Sequence, residues 1–141
     1  MTSRTFAIIK PDAVKNGLTG KIYDRILVAD FKILSAKIIR MNIDQAKGFY
    51  AIHKDRPFYT ELTEFMSSGQ SMVLALEKEN AVKVWRDVIG ATNPIEAAEG
   101  TIRRDYATSI SENAVHGSDS DENAEKEIGF FFTESELISN Q

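Results

Sequence analysis

His116 stands in the run Asn113-Ala114-Val115-His116-Gly117-Ser118-Asp119-Ser120. Imidazole is a competent nucleophile when neutral, and its ordinary pKa of about 6.5 leaves it largely neutral at cellular pH. The glycine after it lets the backbone turn sharply and leave the ring uncovered. A helix is expected to start at Ser118 and run to about Ile128, with Ser118 and Asp121 at capping-box spacing and Gly129 as its stop. That start would set a helix N-terminus, which favours anions, just beyond the imidazole. A carboxylate that takes the proton of one ring nitrogen fixes the tautomer and frees the other nitrogen to attack. Glu127, on the same helix, is a candidate for that role. The local pattern leaves open a histidine that only packs or hydrogen-bonds at a strand end. His53, in Ile52-His53-Lys54-Asp55, lacks such a setting and reads as a surface residue.

A phosphoryl-transfer nucleophile needs cations where charge spreads on the migrating group. Lys10 follows an apolar run and precedes Pro11, at the exit of an expected strand, where side chains face a cleft. Arg56 and Arg86 flank expected helices, and Arg103 lies near Thr101 in a long irregular segment. Taken singly, each is as well read as a solvated surface charge, so the reading depends on their convergence. Phe58, after Pro57, either joins the core or offers a face to a nucleobase. Gly17-Leu18-Thr19-Gly20-Lys21-Ile22 imitates a phosphate-binding P-loop. It is set aside because Lys15 and Ile22 stand where that motif needs glycine and Ser or Thr.

The elements that must position these residues follow from periodicity. Thr5 to Ile9 is nearly continuously apolar, as a buried central strand is, and Pro11 ends it. A helix is expected over 19–29 with Thr19 as cap, a strand over 31–40, and a helix from Asn42 to Ile52 with Asn42 or Asp44 at its start. A helix over 58–67, a strand over 70–77 and a helix over 80–89 ending at Gly90 follow. Residues 90–113 read as a long loop with at most a helical turn after Pro94. A short strand leads to His116, and Phe130 to Phe132 with Leu137 and Ile138 supply a last apolar cover. The order implies an α+β fold: a ferredoxin-like βαββαβ antiparallel sheet with helices on one face.

With 141 residues and 43% hydrophobic content, the chain is expected to form one domain, residues 1–141. The absence of cysteine excludes disulfides and thiolate metal sites and fits a cytoplasmic location. No apolar run reaches the roughly twenty residues of a membrane span, so no membrane partner is expected. A net charge of −4 and the lack of a basic-aromatic strand argue against nucleic acid as primary partner. Scattered arginines in an acidic chain suit one small phosphate compound better.

Beyond the segment around His116, the blocks Phe6-Ala7-Ile8-Ile9-Lys10-Pro11-Asp12-Ala13, Lys54-Asp55-Arg56-Pro57-Phe58, Gly90-Ala91-Thr92-Asn93-Pro94 and Gly100-Thr101-Ile102-Arg103 occur in order. With them the chain resembles the nucleoside diphosphate kinases over essentially its whole length, most closely the short bacterial forms. The resemblance implies transfer of a γ-phosphate between nucleotides by a ping-pong route through a phosphohistidine on His116, with broad base specificity. It implies that Thr92, Arg86 and Arg103 hold phosphates, and that Lys10 and Asn113 meet the sugar hydroxyls and the migrating group, with Tyr50 close by. Phe58 would stack on the base with Ile110 opposite, while Ser118 and Glu127 would support the imidazole. Mg²⁺ would ride on the phosphates, with Asp119 reaching it through water at most. Partners would be nucleoside di- and triphosphates, ATP and GTP among them. The chain would form a homo-oligomer, a tetramer or hexamer built from dimers, with the 90–113 loop in subunit contacts. Arg104 and Asp30 depart from the pattern, each standing where glycine is usual. A binding module without turnover, the competing reading, is disfavoured because His116 and its surrounding set are all retained.

Overall fold

The computed structural model describes residues 2–138. Its frame is a four-stranded antiparallel sheet in the order β2-β3-β1-β4, formed by β1 (Thr2–Ile9), β2 (Lys32–Ile39), β3 (Ser71–Glu79) and β4 (Val115–Gly117). With crossover helices between β1 and β2 and between β3 and β4, this is the expected α+β, ferredoxin-like arrangement.

The continuous apolar run of β1 has a simple cause. Phe6 and Ile8 face one side of the sheet and Ala7 and Ile9 the other, and all four are fully buried. Helices therefore cover both faces, not the single face that the element order suggests. On one side, α2 (Thr19–Val28) and α5 (Ala81–Ile89) pack Ile22, Ile26, Trp85 and Ile89 against Ala7, Ile9, Leu74 and Leu76. On the other, α3 (Ile43–Phe49), α4 (Tyr59–Met66), α7 (Asp121–Phe131) and α8 (Glu134–Ile138) enclose Phe6, Ile8, Leu34, Val73 and Ala75.

Several boundaries differ from those read in the sequence. Pro11 does not merely end β1, for it opens a short helix α1 (Pro11–Lys15), where its fixed φ and missing N–H are harmless. Thr19 is the first residue of α2, and Leu18 holds the cap position without a side-chain bond. The helix expected to reach Ile52 stops at Phe49 and gives way to a 3₁₀ turn over Ala51–His53, while its Asn42 cap forms a full capping box with Gln45. The 90–113 segment contains α6 (Ile102–Tyr106), capped by Thr101, in addition to the turn after Pro94. Arg104 belongs to that helix, where no glycine is required, and it donates to the Ile95 carbonyl at 3.0 Å. Asp30 does occupy a glycine-like conformation, φ 64°, at the turn into β2. Asp tolerates this region better than most residues with a Cβ.

The helix after His116 starts at Asp121, not at Ser118. Ser120 is its cap, accepting from the Asn123 N–H, so the Ser118–Asp121 capping box does not form. Gly129 lies inside this helix, which continues to Phe131. Phe132 and Leu137 join the apolar cover as expected, whereas the Ile138 side chain lies outside the described residues. Among the described residues no helix is long and apolar enough to cross a membrane.

Candidate active site

His116 is set by strand pairing. It lies opposite Ile8 in the β1–β4 ladder, so its ring shares the face of Phe6 and Ile8. Its centroid is 6.0 Å from Phe6, 5.6 Å from Phe49 and 6.4 Å from Tyr50. Next in the chain, Gly117 faces the other side. A Cβ there would meet Trp85 Cδ1 at 2.8 Å and Ile89 Cδ1 at 3.2 Å. Its φ is not positive, so close packing, rather than the sharp turn read from the sequence, requires glycine. The Trp85 indole N–H also donates to the His116 carbonyl at 3.0 Å and pins the strand from below.

The imidazole Nε2–H donates to Glu127 Oε1 at 2.8 Å. The same oxygen accepts from Ser118 Oγ at 2.8 Å, and Ser118 Oγ accepts from the Phe6 N–H at 3.2 Å. A chain of bonds thus runs from the central strand to the ring and leaves Nδ1 with the lone pair. Burial pushes the His116 pKa below its ordinary value. The Glu127 bond and charge oppose that shift, and the Lys10 and Arg103 charges add to it. The ring is neutral, and therefore nucleophilic, at cellular pH. The helix N-terminus expected beside it is displaced by the later start of α7, whose contribution is the Glu127 side chain.

Beside His116 opens a cleft of about 710 Å³. It brings together Lys10, Tyr50, Phe58, Arg86, Thr92, Arg103, Ile110, Asn113, Asp119 and Glu127. Ser118 is fully buried and supports Glu127 from behind. Arg56 does not line the cleft. His53 does, with its ring 5.5 Å from Phe58, so it is not the bland surface residue expected. Residues that sequence reasoning left out include Phe49, Leu62, Phe65 and Phe130, which form an apolar wall. Asn123 and Lys126 of α7 were also missed. Helical spacing of four from Glu127 was the available signal for Asn123.

The cationic end is dense. Lys10, only 7% exposed, donates from Nζ to Asn113 Oδ1 at 2.9 Å. Desolvation and the Arg103 charge bring its pKa down to about 8, against the pull of Asp12. Arg103, 9% exposed, uses Nη1 on the Gly90 carbonyl (3.0 Å), Nη2 on that of Val115 (2.9 Å) and Nε on that of Asn113 (3.4 Å). Desolvation first, and Arg86 second, lower its pKa to about 10. Buried cations with few counter-ions are costly and tend to mark sites that receive an anion. Phe58 and Ile110, 47% and 57% exposed, face the same cleft at its open side. Tyr50 is buried, and desolvation, with the Glu127 charge behind it, raises its pKa and keeps the phenol protonated.

Just before His116 the chain bends sharply. Ala114 has φ 72°, and the Val115 N–H donates to the Asn113 carbonyl at 2.8 Å, which closes a γ-turn. This strained turn carries the Asn113 amide onto Lys10 and starts β4.

Comparison with known proteins points to one family. The family model described as nucleoside diphosphate kinase matches residues 3–137. The nucleoside diphosphate kinase of Erythrobacter litoralis (strain HTCC2594) is 58% identical over 136 residues, covering 96% of this chain and 97% of that protein. That of Salinibacter ruber (strain DSM 13855 / M31) is 53% identical over 139 residues, 99% and 98% of the two chains. Among solved structures, the Aquifex aeolicus nucleoside diphosphate kinase superposes with a TM-score of 0.95 at 43% identity, covering 97% of this chain and 99% of its own. The halophilic nucleoside diphosphate kinase of Halobacterium salinarum, solved in complex with CDP, gives 0.92 at 37% identity, covering 97% and 91%.

Proposed function

The chain belongs to the nucleoside diphosphate kinase family, and on that premise we propose that His116 is the residue through which the phosphoryl group passes. The protein is an enzyme that transfers the γ-phosphate of a nucleoside triphosphate to a nucleoside diphosphate by a ping-pong route. What carries the residue assignment is the 2.8 Å bond between His116 Nε2 and Glu127 Oε1, which commits one ring nitrogen and leaves Nδ1 to attack.

In the first half-reaction Nδ1 donates its lone pair to the γ-phosphorus in line with the bond to the β-phosphate oxygen. The N–P bond forms, that P–O bond breaks, and the diphosphate leaves with the electron pair. Glu127 stabilises the ring as positive charge develops and holds the Nε2 proton, and Ser118 keeps Glu127 in place. Arg86, Arg103 and Thr92 bind phosphate oxygens. Lys10 and Asn113 contact the migrating group and the sugar hydroxyls, and the Tyr50 ring stands edge-on to the imidazole, 6.4 Å away between centroids. A terminal oxygen of a second diphosphate then attacks phosphorus, and the N–P bond breaks. Phe58 and Ile110 enclose the base. Stacking, which every base offers, supports a broad range of nucleotides that includes ATP and GTP.

The family uses a divalent metal, and in this reading it is Mg²⁺ carried by the nucleotide. Among the described residues no group of three His, Cys, Asp or Glu side chains is placed to hold a metal, which suits an ion bound mainly by phosphate oxygens. Asp119 lines the cleft, and donation from the Asn123 amide holds its carboxyl below the usual range, so it is charged and available through water. When bound, the ion would neutralise charge on the phosphate groups. A single domain of residues 1–141, a cytoplasmic location and a homo-oligomer built from dimers, tetramer or hexamer, complete the reading. Exposed Leu27, Val28 and Ile38 support the last of these, and solution mass measurement tests it.

The decisive experiment incubates the protein with γ-labelled ATP and Mg²⁺, then adds an unrelated nucleoside diphosphate. The expected result is an acid-labile, base-stable label on His116 that leaves as the new triphosphate, with His116→Ala abolishing both steps. A wild-type protein that takes no label, or passes it only to water, overturns the assignment.

A further inference from the structure

Asp12 is 8% exposed and does not line the cleft, so no step described above uses it. Its Oδ2 accepts the Ala114 N–H at 3.1 Å across 102 residues of chain. Ala114 is the left-handed residue of the γ-turn, fully buried, two positions before His116. A residue with a Cβ keeps such a conformation only where its surroundings over-determine it. The carbonyls of the bend are engaged by backbone or by Arg103. The Ala114 carbonyl accepts from the Lys10 N–H at 2.8 Å, the Asn113 carbonyl from the Val115 N–H at 2.8 Å, and the Val115 carbonyl from Arg103 Nη2 at 2.9 Å. The Ala114 N–H bonds to Asp12 alone, and without Asp12 it would be buried unpaired.

We propose that Asp12 is a positioning residue: by accepting the Ala114 N–H it locks the Asn113-Ala114-Val115 turn, and so sets both the Asn113 amide on Lys10 and the strand that carries His116. Both ends of the turn lead to groups of the reaction. Asn113 Oδ1 receives Lys10 Nζ at 2.9 Å, and β4 starts at Val115 with His116 in register with Ile8. Relaxing Ala114 towards an ordinary negative φ would rotate the peptides on either side and break both alignments. Burial raises the Asp12 pKa despite donation from Ala114 and Ala13 and the Lys10 charge, so a carboxylate here is costly for the fold. The inference rests on His116 as the nucleophile.

The test is the single-turnover rate of His116 phosphorylation from γ-labelled ATP, with nucleotide affinity by calorimetry and folding by near-UV circular dichroism. Asp12→Ala is expected to slow phosphorylation by about tenfold or more while nucleotide affinity moves much less. Asp12→Asn, which keeps an acceptor oxygen, is expected within about threefold of wild type. Adding Ala114→Gly to Asp12→Ala should restore most of the rate, because glycine adopts this φ without penalty. A purely structural role would lower the melting temperature and leave the rate of the folded fraction alone. A folded Asp12→Ala protein at the wild-type rate, or a folded double variant no faster than Asp12→Ala, overturns the inference. Should Asp12→Ala not fold, the other two variants are read on the same scale. A folded double variant near the wild-type rate supports the lock, and a folded Asp12→Asn protein below about a tenth of that rate refutes it. Wild-type protein that takes no label on His116 brings down the nucleophile assignment and this inference together. Label on wild type with an unaffected Asp12→Ala brings down this inference alone.

Discussion

Ser118 Oγ donates to Glu127 Oε1 at 2.8 Å, the same oxygen that takes the Nε2 proton of His116. One carboxylate oxygen thus joins a fully buried hydroxyl to the His116 ring, the proposed nucleophile. Ser118→Ala removes that donor and also the acceptor of the Phe6 N–H. It should cost about 1–3 kcal/mol of stability, because a buried backbone donor is left unpaired. It should also slow His116 phosphorylation by roughly tenfold as Glu127 gains freedom. Glu127→Gln keeps the shape but not the charge, so it should slow phosphorylation at least as much with a smaller effect on stability. Denaturant unfolding beside single-turnover labelling separates the two, and equal rates in all three proteins would exclude a supporting role for this pair.

Lys10 is expected to link activity to pH. Its folded pKa of about 8 lies below the ordinary 10.5, so the folded state disfavours its charge. The unfolded chain binds more protons between those values, and stability contributed by this site therefore rises as pH climbs from about 8 towards 10.5. Activity should move the opposite way. kcat/KM should bend down from about pH 8 as the free enzyme loses this cation. The bend in kcat should lie higher, because bound phosphate favours the charged form. Lys10→Met should lose phosphorylation and, at neutral pH, gain about 1 kcal/mol of stability. A kcat/KM profile flat to pH 9.5, or a destabilised Lys10→Met protein, counts against this account.

How legible all this was in the sequence depended on the range of the forces involved. The β1 run and the amphipathic α2 and α5 are local patterns, and they were readable, whereas Asn42 and Asp44 both offered a start for α3 and the box with Gln45 selects Asn42. Ser118 was misread because Ser118 and Ser120 offer the same capping chemistry. The choice is made by the Phe6 N–H, 112 residues away, which captures Ser118 Oγ. Helix α6 has five residues, too few for a period to emerge. Gly129 looked like a helix stop, but a glycine inside a helix costs only about 1 kcal/mol, and the apolar contacts of Ile128 and Phe131 outweigh it. The convergence of Lys10, Arg86 and Arg103 on one cleft is a property of the sheet, and no single segment encodes it.

Gly117 and Trp85 form a second packing constraint under His116. Gly117→Ala would drive a methyl to 2.8 Å from Trp85 Cδ1, nearer than packed atoms allow. Trp85 is fully buried and has little room to retreat. The expected cost is about 1–3 kcal/mol from overpacking, with loss of the Trp85 bond to the His116 carbonyl. Indole fluorescence should shift with the altered Nε1 environment, and phosphorylation should slow as β4 moves. A variant with unchanged stability, emission and rate would show that the sheet yields here at no cost.

Phe58 stands at the mouth of the cleft. Its ring is 47% exposed at the cleft mouth and rests 5.5 Å from the His53 ring, tilted by 55°. The contact covers one part of the ring and leaves the rest of its surface open to the cleft, where a base is proposed to stack. Base stacking on one aromatic contributes about 1–3 kcal/mol, so Phe58→Ala should raise KM by roughly tenfold or more with little change in kcat. The loss should be of similar size for purine and pyrimidine nucleotides, because every base has a π face. His53→Ala should show a weaker version of the same effect, about two- to threefold. Kinetics with four nucleoside diphosphates would check both variants. A loss confined to purines would mean that the base is read by directed hydrogen bonds rather than by stacking.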